Sequence, residues 1–227
     1  AQHSGVGYSW LHRPVENAPK PILFIGEGPG ASEDKLGAPF LGNAGKYLWS
    51  AVEKAGIPKE AVALSNIVQC VPWEDPLDPG NSRVRPPSDI EVLICQSRLL
   101  REIHALQPAL LVPVGAVAAH YLLERGVRAG TRSRKFSIEK IRAHLRFAKI
   151  GGTTYPVFPT FHPAGVLRSQ IRSHAFERDL ENIREIYRGT FNLLPTTVPA
   201  RDTAHALEII DLCIEHVRSG RVEFINV

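Results

Sequence analysis

After its first apolar run this chain reads Gly26-Glu27-Gly28-Pro29-Gly30. Glycines at the end of a strand let backbone N–H groups approach a ligand closely, and Glu27 sets a carboxylate among them. Glu33 and Asp34 follow, then an aromatic, Phe40, about a dozen residues on. The string is not a Walker loop, because no Gly-Lys-Ser/Thr follows, and it lacks the G-x-G-x-x-G spacing of a dinucleotide turn. A bare glycine-rich turn is more often a plain strand-to-helix connection, so the acid and the aromatic carry the argument. Two further groups stand at the ends of apolar runs. Asn66 brings an amide that both donates and accepts hydrogen bonds. His162 brings an imidazole, and of the nine histidines it alone precedes a proline. A lone histidine is usually structural and a lone asparagine usually forms a turn. The three placed together would offer a carboxylate, an amide and an imidazole to one ligand.

The elements that must position these groups follow from periodicity. Pro21–Gly26, Ala61–Val68, Ala109–Val114 and Tyr155–Phe161 read as buried strands, with Pro113 an awkward residue for a central one. Asn43–Ala55, Ser88–Leu106, Ala116–Glu124 and Ala175–Tyr187 read as helices. Ser88 and Glu91 form a capping box, and Leu93, Ile94, Leu99, Leu100 and Ile103 form the apolar stripe of that helix. The Pro- and Asp-rich stretch Val71–Pro87 reads as a loop, and Arg125–Lys149 as a polar, basic stretch. Strands alternating with helices imply an α/β fold. We expect three layers, a doubly wound, four-stranded, mainly parallel sheet with helices on both faces. In such sheets ligands bind at the carboxyl ends of the strands, where Gly26–Gly30, Asn66 and His162–Pro163 all fall.

Composition narrows the class. The chain has 227 residues, 44% of them hydrophobic, and a net charge of +4, with a sequence pI of about 9.1. A core of ordinary size fits this length. The basic excess permits a nucleic-acid partner without demanding one. No apolar run is long enough to cross a bilayer, and no signal peptide is visible at the start. Three cysteines, Cys70, Cys95 and Cys213, make no disulfide framework. We expect a reducing compartment, the cytoplasm of a bacterial cell or of a phage-infected host. The chain contains no methionine, which suggests a processed chain or a piece of a longer one.

GEGPGASEDKLGAPFLGNAG, LSNIVQC (Leu64–Cys70) and PTFHPAGVLR (Pro159–Arg168) together closely resemble three motifs of the family 4 uracil-DNA glycosylases. They occur in family order, over roughly residues 21 to 189. The resemblance implies a monofunctional enzyme that flips uracil out of single- or double-stranded DNA and hydrolyses its glycosidic bond. It implies that Asn66 pairs with the edge of uracil and that His162 donates to O2 as charge develops there. Phe40 would stack on the base, while Gly26, Glu27, Gly28, Pro29 and Gly30 hold base and sugar. Glu27 or Glu33 would orient the water; Glu33 and Asp34 have the alternative of capping the following segment. The loop after the His-Pro pair would meet DNA through Pro163, a Leu167 wedge and Arg168. Arg132 and Arg134, in the basic stretch, would add phosphate contacts.

The sequence also departs from the resemblance. The family holds a [4Fe-4S] cluster on four cysteines. Cys70 and Cys95 match two of them, and no Cys-x-x-Cys precedes Gly26. A cluster would need ligands from outside this chain, so no bound cofactor is expected, and both thiols should then be small buried hydrophobes. The histidine loop of covalent-trapping relatives is absent. Residues 1–20 read as an extension and 21–191 as the glycosylase-like domain. Residues 192–227 read as a linker, an amphipathic helix and a strand, Arg221–Val227, similar to the first strand of a proofreading exonuclease. That tail suggests fusion to exonuclease and polymerase domains of a phage-type replicative enzyme. The alternative function is accordingly a silent, DNA-binding glycosylase-like module. A flavodoxin-like nucleotide-binding domain shares the fold but leaves the His-Pro loop without a role.

Overall fold

The computed structural model describes residues 20–78, 81–123 and 137–190. Ile22–Gly26 forms strand β1, buried along its whole length. A strand apolar on both faces belongs in the middle of a covered sheet. Its alternate residues divide between two cores: Leu23 and Ile25 enter one, Ile22 and Phe24 the other. The helices are α1 (Ala31–Leu36), α2 (Asn43–Lys54), α3 (Asp89–Leu106), α4 (Ala116–Leu123), α5 (Ile138–Ile141), α6 (Pro163–Val166) and α7 (Gln170–Arg188). The first core packs under α3 and α4, and the second under α2 and α7. This is the expected three-layer arrangement.

The sheet has five strands among the described residues, in the order β2-β1-β3-β5-β4. Strands β2 (Val62–Asn66), β3 (Leu110–Pro113) and β5 (Thr153–Val157) run parallel to β1 or to each other. The expectation of four strands is corrected by β4 (Arg146–Ile150), which pairs antiparallel with β5 through a Gly151-Gly152 turn. It lies inside the stretch read as polar and basic. An edge strand needs only one buried face: Ala148 and Ile150 are buried on it, with half-buried Arg146 at its start, while Lys149 on the opposite face is exposed. Pro113 is tolerated because it ends β3.

Helix α3 also differs from expectation. Its capping box is present, with Ser88 as N-cap. Leu93 and Ile94, however, are exposed. The buried face is Val92, Leu99, Ile103 and Leu106, with Arg98 and Glu102 interleaved. Leu99, Leu100 and Ile103 pack inward as expected, while two charged residues take inward positions and Leu93 and Ile94 face solvent. The extension 1–19, Arg132, Arg134, Cys213 and the whole of 191–227 lie outside the described residues.

Candidate active site

Strands β2 and β3 flank β1 on opposite sides, so the chain reverses its winding there and leaves a crevice at the carboxyl ends. At the lip of that crevice Gly26 and Asn66 face each other across the β1–β2 ladder. The ladder continues past both strands: Ile67 N–H donates to Gly26 O at 2.9 Å and Val68 N–H to Glu27 O at 3.2 Å. The Gly26–Gly28 turn is thus fastened to the segment after Asn66. Gly26 is needed for closeness. A Cβ there would lie 2.4 Å from Asn66 Oδ1 and 2.9 Å from Phe40 Cζ. Phe40 itself sits at φ 55°, the left-handed region that bulky residues avoid. It is held there by α2, where Gly45 packs so tightly that a Cβ would fall 1.9 Å from Phe40 O. Strain of this kind persists where surrounding structure over-determines it, often beside a ligand.

These groups enclose a cavity of about 290 Å³. Its walls include the Glu27–Gly30 turn, Phe40, Asn66 and, opposite, His162. Ligand clefts typically start near 300 Å³, so this one suits a single small ring better than a dinucleotide. Among the described residues no hydrogen bond engages the Asn66 amide, which remains available to a ligand although the residue is buried.

His162 caps α6, with Ala164 N–H donating to its Nδ1 at 3.2 Å. An accepting Nδ1 carries no proton, so the neutral ring bears its proton on Nε2. Burial pushes the imidazole below its ordinary pKa, against a smaller upward pull from Glu33. The ring therefore stays neutral at neutral pH and can donate from Nε2. Behind it, Gly115 at φ 93° leaves room; a Cβ there would approach His162 Cβ to 2.9 Å.

The two acids separate by their surroundings. Glu33 accepts from Gly30 N–H at 3.1 Å and from Gly42 N–H at 2.8 Å, using both carboxylate oxygens. It is the capping residue of α1. Glu27 sits inside the turn at the cavity wall. Glu33 lines the same cavity, with its carboxylate engaged by those two backbone N–H groups.

The model of the Uracil DNA glycosylase superfamily matches residues 14–184. The chain belongs to that superfamily. It is 34% identical over 170 residues to the Type-4 uracil-DNA glycosylase of Saccharolobus solfataricus, covering 74% of this chain and 72% of that one. The Type-4 uracil-DNA glycosylase of Thermotoga maritima is 36% identical over 149 residues, with 66% and 67% covered. That of Pyrobaculum aerophilum is 33% identical over 159 residues, with 70% and 74% covered.

In this superfamily member Asn66 and His162 are each backed by an inward-turned ion pair. Neither pair was legible in the sequence. Behind Asn66, Arg98 donates to Glu102 at 2.6 Å and to Ser65 Oγ at 3.1 Å, and Ser65 Oγ donates to Glu102 at 2.6 Å. Arg98 also donates to the carbonyls of Asn66 and Ile67, so it fixes the backbone that carries the amide. Behind His162, Asp179 accepts from Thr160 Oγ1 at 2.6 Å and from Arg142 Nε at 2.9 Å, with a second bond from Arg142 Nη2. The Arg142 guanidinium lies 4.9 Å over the Phe161 ring. Arg142, within the stretch read as polar and basic, is thus part of the support for the His162 loop.

The remaining expected positions are distributed as follows. Leu167 is 51% exposed and Arg168 is exposed, both just after α6. Pro163 is buried at the first turn of α6, where it shapes the loop from beneath. Ile171, 84% exposed at the start of α7, is a further apolar side chain on this connection that the sequence reading missed.

The iron–sulfur group does not fit the residues present. A cubane cluster takes four thiolates, and the chain has three cysteines. Among the described residues no group of three His, Cys, Asp or Glu is placed to hold a metal. The expectation of two buried thiols is also corrected, since Cys70 is exposed and Cys95 partly so. The segment after Asn66 turns outward there. Partial burial, and then the neighbouring Cys95, push the Cys70 thiol above its ordinary pKa.

Proposed function

We propose that this chain is a uracil-DNA glycosylase that hydrolyses the N-glycosidic bond of deoxyuridine in DNA. The observation that carries the reading is the convergence of Glu27, Asn66, Phe40 and His162 on one cavity the size of a single small ring. The flipped uracil stacks on Phe40. The Asn66 amide donates to O4 and accepts from N3–H, while His162 Nε2–H donates to O2. As the bond from C1′ to the base breaks, its electron pair leaves with uracil, and both donors stabilise the resulting anion. The positive charge left on the sugar faces the Glu27 carboxylate. Glu27 orients a water whose oxygen attacks C1′ and whose proton passes to the Glu27 carboxylate and on to solvent, while the released uracil anion takes up a proton from solvent. DNA is held outside the cavity by Arg168 at a phosphate and by Leu167 in the gap left by the base.

The test is cleavage of a labelled oligonucleotide with one deoxyuridine, followed by alkali. Wild type should cut it and leave a thymidine control intact. Glu27→Gln should lower kcat by about 10²–10⁴-fold, the range for a positioned base. Glu33→Gln should act mainly on stability, at about 1 kcal/mol for a weakened cap. A wild type that binds the DNA without cutting it overturns the enzyme and leaves the silent module.

Two glycines give an independent check. Gly26→Ala meets only the ends of the Asn66 and Phe40 side chains. Displacing them by about an ångström should cost about 10²-fold in kcat/KM with Tm nearly unchanged. Gly45→Ala meets the Phe40 backbone. It should lower Tm as well, through overpacking of about 1–3 kcal/mol. Equal melting losses for the two would show that Gly26 serves folding rather than the pocket.

A further inference from the structure

The stretch Val71–Pro87, read as an irregular loop, is closed at its base as a hairpin. Trp73 bridges Val84 antiparallel. Glu74 N–H donates to Arg83 O at 2.9 Å, and Arg85 N–H to Pro72 O at 2.9 Å. The closed base turns Pro72, Val84 and Arg85 onto the cavity wall. Arg85 is the one cation among the described residues lining it; the acids there are Glu27 and Glu33, and His162 is neutral.

We infer that Arg85 is a phosphate-binding residue, receiving a DNA backbone phosphate that flanks the flipped deoxyuridine. This rests on the glycosylase reading above. A base that enters the cavity draws its phosphodiester to the rim, and that group is the anion the substrate brings. Arg85 sits at the rim, its side chain 35% exposed. Its guanidinium makes a two-pronged contact with Glu91, Nη1 to Oε2 at 2.8 Å and Nη2 to Oε1 at 2.9 Å, and Nη1 also donates to Pro86 O at 3.1 Å. The Nε–H and one N–H on Nη2 lie beyond these bonds, enough for a phosphate. Glu91 is itself fixed by Ser88 N–H and Ser88 Oγ–H, each at 2.7 Å. The pair therefore aims the cation at the rim and keeps it from the Glu27 carboxylate, where a positive charge would oppose the sugar cation.

The experiment is fluorescence anisotropy of a labelled duplex carrying a tetrahydrofuran abasic analogue, titrated with wild type and variants between about 50 and 200 mM salt. Arg85→Ala should weaken binding about tenfold. It should also make the log–log salt slope shallower by about one, the signature of one lost phosphate contact. Arg85→Lys should restore the slope. Glu91→Gln separates this role from a structural one: it loses the loop clamp but leaves the cation, so it should keep the full slope. An unchanged slope in Arg85→Ala overturns the inference, as does an equal slope loss in Glu91→Gln. Deoxyuridine cleavage by wild type is scored in parallel. An inactive wild type that still shows the Arg85 slope change removes the glycosylase reading and retains the phosphate contact.

Discussion

His162→Ala and Asn66→Ala should each lower kcat for uracil excision by about 10²–10³-fold, the cost of removing one donor from a site where charge develops. In the proposed mechanism the two serve different oxygens of the same departing anion. Each donor is fixed before the substrate arrives. Asn66 is 6% exposed and stands on a backbone held by Arg98. His162 is oriented by the Ala164 N–H on its Nδ1. No reorganisation is then required when the bond breaks. Because both serve one leaving group, the double variant should lose less than the product of the single losses. Single-turnover rates on the deoxyuridine oligonucleotide measure all three. A fall in affinity with kcat intact would mean that these groups bind the ground state only and that the chemistry lies elsewhere in the pocket.

The largest loss of stability is expected from Asp179→Ala. Its carboxylate is fully buried, and Arg142, beside it, is 18% exposed. Removing one partner of a buried pair leaves the other charge uncompensated, which costs about 3–5 kcal/mol. For a domain of this size each kcal/mol moves Tm by about 2–4 °C, so the shift is on the order of 6–20 °C. The damage reaches the site, because Thr160 loses its acceptor two residues before His162. Thr160 also ties the adjoining strand ends: its N–H donates to Pro113 O at 3.1 Å and its O accepts from Gly115 N–H at 2.9 Å. Below its lowered Tm the variant should therefore still show reduced kcat. Lys54→Ala is the control, since its ion pair with Glu177 stands in solvent, the Lys54 side chain being 69% exposed. Calorimetry that gave Asp179→Ala and Lys54→Ala similar small shifts would refute the supporting role of the buried pair.

The sequence by itself determined the strands of the inner sheet, the long helices and the list of groups that meet at the cavity. Buried strands are continuous apolar runs, and ligands gather at their carboxyl ends, so Gly26–Gly30, Asn66 and His162 could be marked before any coordinates. Local pattern also sufficed for the Ser88–Glu91 capping box, which needs only four consecutive residues. It failed where a residue's role is set by a partner distant in the chain. Arg142 and Asp179 meet across 37 residues, and Arg98 and Glu102, a local pair on α3, are turned inward onto Ser65, 33 and 37 residues away. The strand β4 was hidden because it is an edge strand in which Arg146 and Lys149 interrupt the apolar run. The engagement of Glu33 by the Gly42 N–H, nine residues on, was likewise beyond local pattern. Arg85 reached the cavity only because Trp73 and Val84 close a hairpin in a segment that composition marks as loop. Periodicity records which residues can be buried; only packing decides which charges are neutralised there and which are left to meet a substrate.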